Sequence, residues 1–150
     1  GANAVGKTSF FRVLGGLWPV HGGSLTVPAA PGTNAPGISD IFLVPQRIYM
    51  CSGSLADQLT YPKRFSKGER TAEQESKMME LLKLVGIDYL VERWQKDMPE
   101  GDSGWDYETK WEDVLSLGEQ QRTGMARLFF HKPKFGVLDE CAHCIPSHSH

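Results

Sequence analysis

The sequence begins with residues that could bind a phosphate chain. Residues 1–8 read GANAVGKT and fit the pattern G-x-x-x-x-G-K-[ST]. In such a loop the glycines let backbone N–H groups point at phosphate oxygens, while the lysine reaches the terminal phosphates and the hydroxyl binds Mg²⁺. Lys7 and Thr8 are the candidates for these last two tasks. Because eight residues can match by chance, the assignment needs support from elsewhere in the chain.

A pair of acidic residues near the other end of the chain supplies part of that support. Residues 135–140 read FGVLDE, which predicts a buried strand that ends in Asp139 and Glu140. Asp139 could hold Mg²⁺ through water, and Glu140 could accept a proton from an attacking water. A phosphate loop and a distant strand carrying such an aspartate are the parts of a nucleotide hydrolase.

Two further motifs lie between these ends. Gln46 follows the apolar run IFLV and could touch Mg²⁺ or the attacking water from the end of a strand. Residues 115–122 read LSLGEQQR, in which Ser116 offers a hydroxyl and Gly118 a bare N–H at the start of a helix, an arrangement that attracts anions. Alone, the second string would predict only a capped surface helix; the fixed order of all four motifs favours a nucleotide site.

The surrounding pattern predicts the elements that carry these residues. Capping boxes at Thr71 and Ser116 begin helices that run to Val85 and to about His131. We also expect an amphipathic helix over residues 7–14 that buries Phe10, Phe11, Val13 and Leu14. A short helix should follow Asp88 and end near Trp94. Strands are predicted at residues 24–27, 41–44 and 135–138, and loops at residues 28–37 and, exposed to solvent, 96–109. This order indicates an α/β sheet with a helical insertion at about residues 61–112.

Composition excludes several other classes of protein. The chain has 150 residues, 40% of them hydrophobic, with a formal net charge of −2 and a pI of about 6.2, which argues against non-specific nucleic-acid binding. Three cysteines do not suggest a disulfide scaffold, and no apolar run approaches the roughly 20 residues that span a bilayer. A P-loop kinase or GTPase is disfavoured, since no N-K-x-D string is present and LSLGEQQR would have no role.

The four motifs in this order resemble the nucleotide-binding domain of ATP-binding-cassette (ABC) transporters. LSLGEQQR would be the signature motif and Gln46 the Q-loop glutamine. The strings FRVLGGLWP, VPQRIYM, GSLADQLTYP and GMARLFFHKPKFGVLDEC are similar to the peroxisomal subfamily D, which transports fatty acids and their CoA esters. Leu117, where most cassettes have glycine, resembles the plant or algal members. The resemblance covers residues 1–141.

This resemblance implies an incomplete P-loop NTPase core of the ABC ATPase type, with a parallel sheet and a helical subdomain at about residues 61–112. It implies an ATPase that uses ATP and Mg²⁺, with Glu140 and Gln46 in catalysis and with Thr8, Gln46 and Asp139 at the metal. The residues implied to bind ATP, some of them on the partner's nucleotide, are Gly1, Asn3, Gly6, Lys7, Thr8, Ser9, Ser116, Gly118 and Glu119.

The partners implied are a second nucleotide-binding domain in a head-to-tail dimer, a transmembrane domain and, through that domain, a fatty acid or acyl-CoA, but no nucleic acid. The implied location is the cytosolic face of the peroxisomal membrane, where the transporter would import its substrate. Trp94, Trp105 and Trp111 are interpreted as packing or interface residues. Trp105 and Trp111 are candidates for contact with the membrane domain.

Departures from the family pattern keep a second interpretation open. Ala4 replaces a loop glycine, no strand or adenine-stacking aromatic precedes Gly1, and after Cys141 no D-loop or switch histidine follows. We therefore expect a cassette truncated at both ends that hydrolyses ATP barely above background, and the alternative is a non-hydrolysing nucleotide-binding or assembly fragment. Residues 142–150 are expected to be a divergent, disordered tail, although Cys141, Cys144 and the nearby histidines also suggest zinc.

Overall fold

The computed structural model describes residues 7–27 and 36–139, with the backbone alone at residues 7, 8 and 11. Its helices are α1 (Lys7–Leu14), α2 (Leu55–Thr60), α3 (Ala72–Val85), α4 (Tyr89–Gln95), α5 (Trp111–Val114) and α6 (Leu117–His131), with a 3-10 helix at Gly104–Asp106. The strands are β1 (Ile41–Val44) and β2 (Phe135–Leu138). No helix in these described ranges is long and apolar enough to cross a membrane.

The two strands form a parallel pair, with Ile41 opposite Phe135 and Val44 opposite Leu138. An ion pair joins the residues that precede the two strands, since Lys134 Nζ lies 2.8 Å from Asp40 Oδ1. The hydrogen bond from Lys134, together with one from the Gly37 backbone, lowers the pKa of Asp40 below its ordinary value. Helix α6 packs on β1 and returns the chain to the start of β2, so the pair has the connection that parallel strands require.

Both predicted capping boxes form. The Thr71 hydroxyl accepts from the Gln74 backbone while the Gln74 side chain accepts from the Thr71 backbone, and Gly86 ends α3 in the left-handed region at φ 72°. Ser116 caps α6 in the same way with Glu119. These local signals predicted where α3 and α6 begin, because each cap satisfies backbone groups that a helix terminus leaves unpaired.

The core lies mainly among the helices and reaches strand β1 at Val44. Helices α2, α3 and α6 pack together, and α4 packs on the 3-10 helix. Three aromatic rings join these layers: Trp94 stacks on Tyr107 with ring centroids 4.6 Å apart, and Trp111 meets both edge-on. The Trp111 indole N–H also donates to the Gly53 carbonyl at 2.8 Å.

The structure corrects the prediction of an exposed loop over residues 96–109. Trp105 and Gly104 are buried in the 3-10 helix, because the loop folds its aromatic residue back onto α4. Trp105 and Trp111 are 3% and 1% exposed, so the suggested contact of either residue with a membrane domain is wrong: their surfaces are already used within the chain.

Other predictions were wrong about strands and burial. Residues 24–27 form no strand, since no described strand pairs with them. Strand β2 is not buried: Phe135 and Leu138 are 57% and 43% exposed, because the described sheet has only two strands and its faces are incompletely covered. Phe10 is likewise 58% exposed on α1. Helices α2 and α5 were not predicted. Residues 28–35 of the predicted loop at 28–37, and the predicted tail at residues 142–150, lie outside the described residues.

Candidate functional site

Gln46 and Asp139 emerge at the same edge of the strand pair. Val44 and Leu138 are opposite each other in the parallel register, and the Asp139 backbone N–H donates to the Val44 carbonyl at 3.0 Å. Gln46 is exposed and Asp139 half-buried. The carboxyl ends of parallel strands are where α/β folds place ligands, so these two side chains can act on one bound molecule.

Helix α1 begins at Lys7, the lysine of the predicted phosphate loop, and Thr8 and Ser9 follow in its first turn. The N-terminus of a helix offers backbone N–H groups of the kind that bind phosphate. Ser9 is exposed to solvent. Gly1, Asn3 and Gly6, with Glu140 at the other end, lie outside the described residues, and the roles predicted for them stay predictions.

The start of α6 is open to solvent. Ser116 is its N-cap, and Ser116, Leu117 and Gly118 are all exposed, with Leu117 at 61%. A Cβ placed on Gly118 would meet no heavy atom within 4 Å. A helix N-terminus with a hydroxyl and a bare glycine therefore faces free space that an anion or another molecule could occupy.

Glu119 instead turns inward to its own chain. Its carboxylate accepts from the Ser116 backbone and hydroxyl, both at 2.7 Å, and from the Tyr89 hydroxyl at 2.8 Å, with Arg93 at 3.6 Å. Burial opposes ionisation of Glu119, but the bonds from Ser116 and Tyr89 and the charge of Arg93 outweigh it, and its pKa is lowered. Burial and the same carboxylate raise the pKa of Tyr89. The ionised carboxylate of Glu119 therefore holds the first turn of α6 in place through Ser116.

Sequence reasoning missed Tyr89 and Arg93, which hold Glu119 from α4. Thirty positions separate Tyr89 from Glu119, and no local pattern connects them. It also missed Gln121, whose side-chain amide donates to the Gln46 backbone carbonyl at 3.5 Å. This contact joins two of the four motifs, since Gln121 belongs to the LSLGEQQR string and Gln46 follows β1.

Comparison with known proteins identifies the family of the chain. A family model described as ABC transporter matches residues 1–143. "ABC transporter D family member 1" of Arabidopsis thaliana is 47% identical over 94% of this chain and 11% of the relative. "ATP-binding cassette sub-family D member 3" of Homo sapiens is 43% identical over 97% of this chain and 20% of the relative. The chain spans about a fifth or less of these relatives.

A solved structure shares the fold. "Structure of a bacterial Atm1-family ABC exporter with ATP bound" superposes with a TM-score of 0.67 over 97% of this chain and 24% of the exporter chain, at 17% identity. At that identity the similarity concerns the fold alone, which is the α/β fold of an ABC ATPase domain. Since the family model matches nearly the whole sequence, this chain belongs to the ABC transporter family.

Proposed function

We propose that this chain binds MgATP and hydrolyses it as part of the nucleotide-binding domain of an ABC transporter. The observation that carries the proposal is the arrangement of its motifs. Gln46 and Asp139 share one edge of the parallel strands, and the open N-terminus of α6 belongs to a helix that contacts the Gln46 backbone. Membership of the ABC transporter family supports ATP as the nucleotide.

Within this proposal, residues 1–9 hold the triphosphate. Gly1, Asn3, Gly6 and Ser9 would line the loop, Lys7 would offset charge on the terminal phosphates, and Thr8 would bind the metal. Glu140 would take the proton from the attacking water, which Gln46 would orient. The chain is proposed to have its helical subdomain at about residues 61–112, where α3, α4 and the 3-10 helix lie.

The metal site proposed here suits Mg²⁺ by its donors. Mg²⁺ in nucleotide sites is held by one or two carboxylates together with substrate phosphates and water. Asp139 provides a half-buried carboxylate at a strand end, with the exposed Gln46 on the neighbouring strand. When bound, the ion would neutralise charge that develops on the phosphoryl oxygens.

Ser116 and Gly118 are proposed to act on the ATP of a second nucleotide-binding domain, paired head to tail. Their exposure supports this, because no described residue covers them. Glu119 would contribute by holding the Ser116 cap in place. It would not bind phosphate directly, since the anionic Glu119 carboxylate would repel the phosphate. A transmembrane domain would be the other partner.

The transported substrate is proposed to be a fatty acid or its CoA ester, imported into peroxisomes by a transporter whose ATPase faces the cytosol. This rests on the resemblance to subfamily D, whose name the relatives from Arabidopsis thaliana and Homo sapiens carry. The alternative function is nucleotide binding or assembly without turnover.

Substitution of Lys7 tests the core of the proposal. We expect Lys7→Ala to weaken MgATP binding at least tenfold, because a charge-assisted bond contributes roughly 1.5–3 kcal/mol. Calorimetry gives the affinity, and a thermal melt establishes that the variant is folded. Unchanged affinity in a folded variant would exclude the phosphate-loop assignment.

Turnover separates the two candidate functions. ATP hydrolysis that requires Lys7 and is abolished by Glu140→Gln, measured with and without a partner domain, supports the ATPase. Lys7-dependent binding without turnover under either condition supports the alternative. Lys63→Ala is a suitable control, because this exposed lysine lies outside every motif.

A further inference from the structure

One face of α6 holds the segment that follows Gln46, residues 46–61. Residues 121, 124, 127 and 131 recur every three or four positions and therefore share a face of the helix. At one end Gln121 donates to the Gln46 carbonyl, and at the other the His131 Nε2 lies 2.7 Å from the Tyr61 carbonyl. Both ends of the 46–61 segment are therefore attached to one helix.

The helix and the segment approach each other closely between these points. A Cβ on Gly124 would lie 2.5 Å from Ile48 Cδ1 and 3.4 Å from Val44 Cγ1. Ile48, two residues after Gln46, is 5% exposed. The position of the segment near Gln46 therefore depends on the surface of α6.

Arg127 lies at the centre of this contact. Its Nε donates to the Gln58 carbonyl at 2.9 Å and its Nη1 to the Tyr49 carbonyl at 3.0 Å, while its guanidinium carbon lies 5.4 Å from the Tyr61 ring centroid. A planar guanidinium presents its N–H groups in a fixed fork. One rigid group therefore sets the Tyr49 and Gln58 carbonyls relative to each other and to α6.

The environment of Arg127 is unusual for a cation. The residue is 5% exposed, and in the described part of the chain its guanidinium makes no salt bridge and its Nη2 has no hydrogen-bond partner. Burial lowers the pKa of Arg127. Burying a charge without a counter-ion is costly, and an apolar side chain would fill the same space without that cost.

We propose that Arg127 is a positioning residue for ATP hydrolysis, which acts by holding the backbone three residues after Gln46 against α6. Gln46 thereby keeps a fixed place relative to Asp139 and to the helix that begins at Ser116. The inference rests on the proposed ATPase function.

Arg127→Lys in the transporter that contains this chain is the test. A lysine keeps the charge but cannot bind both carbonyls in the fork geometry. We expect kcat for ATP hydrolysis to fall about tenfold, since small misplacements of catalytic groups cost up to about 100-fold, while KM for MgATP stays within about twofold. Arg70→Lys is the matched control. Arg70 has a 3% exposed side chain, but it pairs with Glu75 and Asp106, neither of which belongs to α6 or to the 46–61 segment. The Arg70→Lys substitution should lower the Tm of the protein and leave kcat near the wild-type value.

A double-mutant cycle with Gln46→Ala distinguishes positioning from general damage. If Arg127 acts through Gln46, Arg127→Lys should change kcat little in the Gln46→Ala background. An additive loss, or an unchanged kcat in the single variant, would overturn the inference. Should Arg127→Lys not fold, Gly124→Ala tests the same contact between α6 and the segment, because its methyl group would lie 2.5 Å from Ile48 Cδ1 and that side chain must shift.

The wild-type control separates this inference from the function on which it rests. Turnover that Lys7→Ala does not remove would refute the proposed ATPase and the positioning role together. Lys7-dependent turnover with additive effects at Arg127 and Gln46 would refute the positioning role alone.

Discussion

Replacing Gly118 by aspartate should separate the stability of the fold from its pairing with a second domain. Gly118 is the second residue of α6, is exposed, and has free space where a Cβ would lie. Removing a glycine from a helix gains a few tenths of a kcal/mol, and a carboxylate in the first turn gains about 0.3–1 kcal/mol from the helix dipole. The variant should therefore be as stable as the wild type or up to about 1 kcal/mol more stable.

Pairing should respond in the opposite direction. If Gly118 faces the phosphates of ATP on a partner, the new carboxylate lies near a like charge. Two unit charges 4 Å apart repel by about 4 kcal/mol at an effective dielectric constant of 20, which corresponds to a loss of about a thousandfold in the pairing equilibrium. Binding of ATP to the chain's own phosphate loop should not change.

Sedimentation of a cassette-length domain that contains this chain, with and without ATP, measures the pairing, and urea unfolding measures the stability. Gly118→Asn is the matched control, since asparagine adds about the same volume as aspartate without the charge. The difference in pairing between the two variants therefore measures the electrostatic effect. Raised salt should narrow that difference. Normal ATP-dependent pairing by a folded Gly118→Asp variant would refute the placement of Gly118 against a partner's nucleotide.

Two further predictions concern the fold itself. Trp111→Ala should destabilise the same domain by about 3–5 kcal/mol in urea unfolding, because it empties a fully buried site and orphans the Gly53 carbonyl, whereas Leu84→Ala, at a 53% exposed position, should cost well under 1 kcal/mol. The lowered pKa of Asp40 means that its ion pair with Lys134 stabilises the fold above the ordinary pKa of the carboxyl group and loses this effect as pH falls through the lowered value. Asp40→Asn should therefore flatten the loss of stability below about pH 4, and an unchanged acid profile would contradict this.

The features that could be predicted from the sequence have local causes. The starts of α3 and α6 followed from capping boxes, in which the cap and its partner are three residues apart. Strands β1 and β2 were predicted with the bounds that the structure shows, because short apolar runs between turn-forming residues carry that signal. Their pairing put Gln46 and Asp139 at one edge, as expected for carboxyl ends of parallel strands.

What could not be predicted depends on contacts far apart in sequence. Helix α2 has only six residues, too few to show a helical period, and its polar residues Asp57, Gln58 and Thr60 are buried by the elements packed around it. Trp105 lies in a polar stretch that looked exposed, yet the 3-10 helix packs it against α4. The apolar run of β2 predicted burial, but burial requires neighbouring elements that only the tertiary structure can provide or withhold.

The candidate site shows the same division. The types and order of its residues predict the chemistry proposed for it, since a phosphate loop, a strand-end aspartate and a serine at a helix start each have a local reason to bind phosphate or its metal. The residues that hold them in place are not adjacent to them in sequence: Tyr89 and Arg93 order Glu119 from α4, and Arg127 reaches Tyr49 across 78 positions. The motifs therefore predict which side chains would bind the nucleotide. The residues that hold those side chains in position lie outside the motifs. Substitutions at such residues should alter kcat more than nucleotide affinity, and the comparison of Arg127→Lys with Arg70→Lys measures that distinction directly.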